Sequence, residues 1–337
     1  MRIGLIGCSY HWGSYKALLE ALPEARVVAV APGCAQEKPE AFAKAAGVTE
    51  ETRRFADARE LLDKSELDLV QVSTEFTAMG GWVREAAQRG VPVTVEKPLA
   101  FDLAELAQTW DIVSSTGTPV YAMQGTQGWA VFEAAKAAVA SGAVGEVYAS
   151  HHQKSYRWAA RPASWQDRRT FPGFIPWVGI HAFGWMEWIL GDVFTEVAGW
   201  DGYALHPEVP GCATQAGLVF KQANGGFATV SLDYLRPKSA PTHGDERLRI
   251  AGSLGVVEAY EAEGRCTLVT ADAAPRALEL PEHPADPVVT FARFLRGETQ
   301  APTQTWEAFR VTEWALKAQQ AADTGKPVTL LPTAYRA

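Results

Sequence analysis

Cysteine is scarce in this chain. The four among 337 residues, Cys8, Cys34, Cys212 and Cys266, stand far apart, with no Cys-x-x-Cys pair and no histidine at ligand spacing. That argues against a disulfide framework or a zinc module, and for free thiols in a reducing compartment. No apolar run reaches the roughly 18–20 residues that a membrane helix needs. No long apolar segment follows the N-terminal MRIGLIG, so no signal peptide is read and a cytoplasmic protein is expected. Charge blocks and low-complexity tracts are missing. Lys+Arg number 31 against 39 Asp+Glu, a net charge of −8. This balance argues against a general nucleic-acid or anionic-membrane surface, while leaving room for a local basic pocket. The adjacent pair His151-His152 lies in a strand pattern. Neighbours on a strand point to opposite faces, so one ion cannot easily take both, and no metal is expected.

What is present is a globular composition, 47% hydrophobic and 21% charged, at a length that favours two domains. Up to residue 125, strand and helix patterns alternate. Strands read over 2–7, 26–31, 68–73, 91–96 and 119–124. Helices read over 15–22, 39–46, 58–64, 81–90 and 102–115. Strands apolar on both faces, alternating with helices, predict a parallel sheet covered on both sides, with ligands at the C-terminal strand ends. From residue 126 the pattern changes. A helix over 131–142 leads to a long strand over 146–158. A hairpin turns at Asn224-Gly225, strands follow over 247–260 and 265–271, and helices over 287–297 and 305–325. This predicts an α+β domain on a large, mostly antiparallel sheet, whose open face could serve a subunit contact. The expected fold is α/β overall, with a Rossmann-type domain over 1–125 and a substrate and oligomerisation domain over 126–337.

RIGLIGCSYHWGSYKALLEAL reads as strand, glycine turn, helix. Gly7 ends the strand, where backbone N–H groups can face a pyrophosphate. The G-x-G-x-x-G pattern is degenerate: Ser9 stands at the second glycine position and Trp12-Gly13 at the third. The second strand ends Ala31-Pro32-Gly33, with no carboxylate to grip the ribose of NAD. The nearest acid, Glu37, reads as solvated helix surface. Lys38 is the only nearby cation, so the choice between NAD and NADP stays open.

VPVTVEKPLAF, residues 91–101, reads as a strand tip. Val95 and Lys97 share one face and Glu96 the other. A residue before proline avoids the α region, so Lys97 stays extended off the strand end. It could polarise a hydroxyl or carbonyl beside a nicotinamide, or the Glu-Lys pair could simply cap the sheet surface.

With these stretches, IGLIG at 3–7, DLVQVST at 68–74, AAQRGVPVTVEKPLA at 86–100, ASGAVGEV at 140–147, Trp165 and Asp167, VGIHAFGWMEWILGDV at 178–193 and LRIAGSLGVVE at 248–258, the sequence resembles the Gfo/Idh/MocA oxidoreductase family over nearly its whole length. The resemblance implies a Rossmann domain, a C-terminal domain on an antiparallel sheet, and NAD(P)-dependent oxidation or reduction of sugars, polyols or related small molecules. It also implies homodimers or homotetramers built through that sheet. Lys97 looks like the lysine that contacts nicotinamide ribose and substrate hydroxyl, and Glu96 like its cofactor-side acid. The Lys97–Pro98 bond is then expected to be cis. His181 looks like the acid/base histidine of a D-x-G-x-H segment, and its place near a helix start favours neutral imidazole. The expected cofactor set is Gly7, Cys8, Ser9, His11, Trp12, Ser73, Thr74, Glu96, Lys97 and Gln124. The expected substrate set is Tyr156, Trp165, Trp177 and His181.

Departures accompany the resemblance. Trp177 stands at the Asp position of D-x-G-x-H, and Gly184 where a second Asp is usual. T-P-N-x-x-H reads T-E-F-T-A-M, with Glu75 and Met79 at its marked positions. The Arg-Phe expected after the sixth strand is replaced by Met123 to Trp129. His181 could instead be core, since Trp185 and Trp188 share its helix face. Trp158, Trp165, Trp177, Trp185 and Trp188 crowd one span, and Trp165 and Trp177 are the two expected to line a sugar pocket. Lys154, Tyr156 and Arg157 read as a solvated strand edge, with one of them able to replace the missing Asp contact. The leading reading is a dehydrogenase. The alternatives are a catalytically silent ligand-binding regulator and an NAD-dependent hydrolase or lyase on the same fold.

Overall fold

The computed structural model describes residues 1–124, 128–159, 161–203, 206, 209, 211–282, 286–331 and 335. Contacts divide the chain into two compact units, Met1–Gln124 with Ala285–Thr312, and Gly125–Pro284 with Glu313–Arg336. The expected cut between residues 125 and 126 lies outside the described residues, as do Gly125, Thr126 and Gln127.

The first unit carries β1 (Arg2–Ile6), α1 (Lys16–Ala21), β2 (Arg26–Ala31), β3 (Arg53–Arg54), α2 (Ala58–Lys64), β4 (Leu69–Val72), α3 (Phe76–Ala87), β5 (Val93–Val95), α4 (Leu103–Thr116) and β6 (Val120–Ala122). The strands run in the order β3-β2-β1-β4-β5-β6, all parallel. This is the expected Rossmann sheet, with its switch point between β1 and β4. β4 and β5 are buried at every residue, as strands covered on both faces must be. Two departures have local causes. The segment 39–46 forms a 3-10 turn, Pro39–Lys44, in place of an α-helix. Helix α3 starts at Phe76, five residues before the helix pattern read at 81. Gly80 hides that start: a Cβ there would lie 2.6 Å from the Glu105 carboxyl carbon, so α3 and α4 pack through a missing side chain.

Residues 285–312 return to this unit, which a single cut gives to the second. Val288, Val289, Phe291 and Ala292 of the helix Pro287–Leu295 join the core of Leu5, Leu18, Val30 and Tyr121. Each such large side chain contributes about 1.5–3 kcal/mol on burial. Asp286 caps the helix, accepting the Val288 amide at 2.8 Å, and Pro287 opens it.

The second unit carries α5 (Ala130–Ala140), β7 (Val147–Tyr156), α6 (Ile180–Leu190), β8 (Phe194–Gly202), β9 (Gln215–Gln222), β10 (Phe227–Asp233), β11 (Gly244–Gly252), β12 (Gly255–Tyr260), β13 (Arg265–Thr270), β14 (Ala273–Ala277) and β15 (Val328–Thr329). They form one sheet, β14-β13-β12-β11-β7-β10-β9-β8-β15, in which only β7 and β10 pair in parallel. One face is buried beneath α5 and α6. The other presents Trp200 (68% exposed), Val219 and Phe227. The hairpin at Asn224-Gly225 is as read, with Gly225 at φ 88°. Strand β8 escaped the sequence reading because Gly199 interrupts its pattern. That glycine is required, since a Cβ would lie 2.4 Å from the Gly217 carbonyl oxygen across the pair.

Candidate active site

In the first unit the expected cofactor residues gather at the C-terminal ends of β1, β4 and β5. Gly7 leaves β1 at φ 84°, and a Cβ on it would lie 2.4 Å from the Ser73 carbonyl oxygen. Only glycine serves there. The turn that follows is pinned to β4: the Ser9 amide donates to Ser73 O at 3.0 Å, and the Ser73 hydroxyl donates to Ser9 O at 2.7 Å. Thr74 is fully buried, and its hydroxyl has no hydrogen-bond partner among the described residues. Trp12 packs edge-on to Phe42, and its carbonyl accepts from Gln71.

Glu37 corrects the sequence reading. It is not solvated helix surface. One oxygen of its carboxylate accepts the Cys8 amide at 3.1 Å and the Ser9 hydroxyl at 2.6 Å, and the other accepts the Gly33 amide at 2.7 Å. The chain turns back after β2 far enough for an acid six residues past the strand to reach the glycine turn. Burial pushes the Cys8 thiol up to about 11, and the neighbouring Glu37 and Cys34 add to the shift. The Trp82 indole donates to Gly33 O at 2.7 Å and holds the same loop. Motif spacing signals neither Glu37 nor Trp82.

At the end of β5, Glu96 is 0% and Lys97 2% exposed, so the pair does not cap a surface. Glu96 accepts from the His11 amide at 3.0 Å, shares a hydrogen bond with the His11 ring at 2.9 Å, and accepts the Lys97 amide at 3.1 Å. Burial pushes its carboxyl up. The His11 hydrogen bonds and the His11 and Lys97 charges outweigh this and hold it below the usual carboxylate range. A buried carboxylate persists only with such partners. The Lys97–Pro98 bond is cis. Gln124 lies buried beyond β6 and donates to the Ala308 carbonyl at 3.5 Å. The amides of Cys8, Ser9, His11 and Trp12 are all committed within the protein. The cradle is therefore built from close glycine backbone and two carboxylates rather than from a row of open N–H groups. Two features fit a dinucleotide: a carboxylate that can accept ribose hydroxyls, and the buried Thr74 hydroxyl, which has no partner among the described residues; the absent Gly7 side chain makes room for Ser73.

In the second unit, His181 is half-buried in the first turn of α6, just after a π-helical turn, Ile175–Gly179. Trp177 sits in that turn, 8% exposed, edge-on to Trp165 with centroids 4.9 Å apart. Trp165 stacks flat on Phe171 at 4.6 Å. Trp185 is wholly buried and donates to His152 Nδ1 at 2.9 Å. His152 is buried and His151 exposed, on opposite faces of β7.

A second correction concerns Lys154. β7 lies inside the sheet, and Lys154 is 1% exposed, donating to Glu246 Oε1 at 2.6 Å. The rings of Tyr156, Trp129 and Trp185 lie 4.5, 4.9 and 5.9 Å from its ammonium. Burial lowers its pKa to about 8 against the Glu246 charge, and pushes the Tyr156 hydroxyl above its ordinary range. Tyr156 closes the strand, its ring also 5.1 Å from His243. The partner Glu246 is 92 residues away in sequence, so no local pattern reveals the pair.

Comparison with known proteins places this arrangement. Residues 1–124 match the oxidoreductase family with an NAD-binding Rossmann fold, and residues 132–258 match the GFO/IDH/MocA C-terminal domain. A D-apiose dehydrogenase of Rhizobium rhizogenes is 24% identical over 69% of this chain and 68% of its own. Inositol 2-dehydrogenase 2 of Paenarthrobacter aurescens is 26% identical over 82% of each chain. A solved oxidoreductase-type structure from Thermotoga maritima is 33% identical, covers 98% of this chain and all of its own, and superposes with a TM-score of 0.88. Levoglucosan dehydrogenase, solved with NADH, shares the fold at a TM-score of 0.80 and 16% identity, over 99% of this chain and 100% of its own. The chain belongs to the Gfo/Idh/MocA family of oxidoreductases.

Proposed function

We propose that this oxidoreductase is an NAD-dependent dehydrogenase of a sugar, polyol or related hydroxy or keto compound, with Lys97 and His181 as its catalytic residues. The observation that carries the cofactor choice is Glu37, whose carboxylate lies on the Cys8 amide, the Ser9 hydroxyl and the Gly33 amide. A carboxylate on the glycine turn accepts ribose hydroxyls and repels a 2′-phosphate. Gly7, Cys8, Ser9, His11, Trp12, Ser73, Thr74, Glu96, Lys97 and Gln124 form the cofactor set.

When bound, the nicotinamide supplies a hydride acceptor at C4. Lys97 donates from its buried ammonium to the reacting oxygen and stabilises negative charge there. Glu96, held by His11, neutralises that ammonium without leaving the strand end. His181 takes the hydroxyl proton in oxidation and returns it in reduction. Trp165, Trp177 and Tyr156 give the substrate its apolar contacts. The exposed face around Trp200, Val219 and Phe227 meets a second copy of the chain in a homodimer or homotetramer.

A ligand-binding regulator of the same fold is the second reading, and Trp177 favours it. The indole packs against Trp165, so it offers His181 no carboxylate to orient it. Rates of NAD⁺ reduction over a sugar and polyol panel separate the two. The dehydrogenase reading expects turnover by the wild type, with a loss of about 10²–10⁴-fold in Lys97→Ala. NADH binding without any turnover favours the regulator.

A further inference from the structure

Among the described residues, Arg161 of the second unit is a half-buried cation whose neighbours are aromatic rings and not an acid. The Arg161 guanidinium carbon lies 4.2 Å from the Tyr234 ring centroid, 5.0 Å from that of Trp165 and 5.2 Å from that of Trp158. Trp158 is itself fixed, edge-on to Tyr234 at 5.3 Å and stacked on His206 at 3.8 Å. Phe174 braces Tyr234 from another side at 4.9 Å. Three aromatic rings therefore hold the guanidinium in place, and ring faces attract cations. They do not satisfy its N–H groups. Arg161 Nε and Tyr234 Oη are both buried, and beyond their interaction with each other neither has a hydrogen-bond partner among the described residues. Lys154, a fully buried cation of this unit, has Glu246 at 2.6 Å. Orphaned buried donors in a folded protein call for an acceptor.

The acceptor's chemistry follows from the donors. A guanidinium edge and a phenol present fixed donors to a planar anion, and arginine pairs best with a carboxylate or phosphate. Burial pushes the Tyr234 hydroxyl above its ordinary range, so it remains a donor. The cluster adjoins the candidate substrate residues: Trp165 lies under Arg161 and edge-on to Trp177, which precedes His181 by four residues. We propose that Arg161, with Tyr234, binds a carboxylate of the substrate, so that the substrate is a polyhydroxy acid, an aldonic or uronic acid, rather than a neutral sugar. This rests on the dehydrogenase reading for turnover, but its binding step does not need turnover.

The test compares matched pairs: D-glucuronate with D-glucose, D-galacturonate with D-galactose, and D-gluconate with D-glucitol. NAD⁺ reduction is measured at low and high ionic strength for wild type, Arg161→Gln and Arg161→Lys. The melting temperature of the NADH-loaded protein is followed with each compound. For at least one pair, kcat/KM for the acid exceeds that for the neutral partner by about tenfold or more. Salt reduces this ratio, Arg161→Gln brings it near one, and Arg161→Lys gives an intermediate value. A wild-type ratio of one or less for every pair overturns the proposal, as does a preference that Arg161→Gln leaves intact. If none of the six compounds is oxidised, the thermal shifts still decide. A shift by an acid that Arg161→Gln abolishes supports the anion site. No shift by any acid overturns it, whatever the fate of the dehydrogenase reading.

Discussion

The Glu37 carboxylate lies 2.6 Å from the Ser9 hydroxyl, across the mouth of the glycine turn. The sequence has no acid at the end of β2, and Glu37 reaches the glycine turn from the loop that follows. Glu37→Gln keeps the shape and removes the charge. The expected result is weaker NAD⁺ binding, by about tenfold, and a narrower gap between NAD⁺ and NADP⁺. Calorimetric titration of both nucleotides checks it. An unchanged NAD⁺/NADP⁺ ratio contradicts the assignment.

Gly7 and Gly225 both have positive φ, at 84° and 88°. They differ in surroundings. A Cβ on Gly7 meets Ser73 O at 2.4 Å, whereas one on Gly225 meets nothing within 4 Å. Gly225→Ala is expected to cost about 1 kcal/mol and Gly7→Ala about 2–4 kcal/mol. Denaturant unfolding of the two variants measures the difference, and equal costs contradict the packing argument.

The Lys154–Glu246 pair predicts a double-mutant pattern. Lys154→Met strands a buried carboxylate and costs about 3–5 kcal/mol, while Lys154→Met with Glu246→Leu recovers most of it. The pH dependence has a definite sign. The folded-state pKa of Lys154 is lowered from 10.5 to about 8. Between those values the unfolded chain binds more protons, so this group makes stability rise with pH across that window. In Lys154→Met that contribution is gone. Melting curves from pH 7.5 to about 10.5 check it, and identical slopes for wild type and variant count against it.

Glu96 gives the opposite edge of the pH range. Its carboxyl is held below 4.5 in the folded protein. A depressed carboxylate contributes stability above its unfolded pKa and loses it as pH falls through the folded value. Wild type therefore loses stability more steeply than Glu96→Gln as pH drops below about 4.5. Acid titration followed by circular dichroism distinguishes them, and parallel curves contradict the assignment.

Much of the first unit was legible because its signals are local. β2 and α2 fall on their patterns residue for residue, and the ends of α4 and of the Asn224-Gly225 hairpin are set by capping and turn chemistry. The errors came from contacts made at long range. Gly80 looks like a helix breaker until Glu105 is packed against it. Glu37 looks solvated until the loop after β2 folds back on Cys8. Lys154 looks like an exposed strand residue until β11 brings Glu246 beside it. Arg161 carries no pattern at all, because its cage is assembled from Trp158, Trp165 and the distant Tyr234. Motifs marked the strand ends proposed to hold the cofactor, and only packing revealed the charges around them.

The proposed NAD site comprises the glycine turn, Glu37 and the Glu96-Lys97 strand end. Fluorescence titration of the wild-type protein with NADH and NADPH tests it most directly. Saturable binding of NADH is expected, with NADPH binding weaker by about tenfold or more. Failure of both nucleotides to bind at concentrations up to about 1 mM, or tighter binding of NADPH, contradicts it.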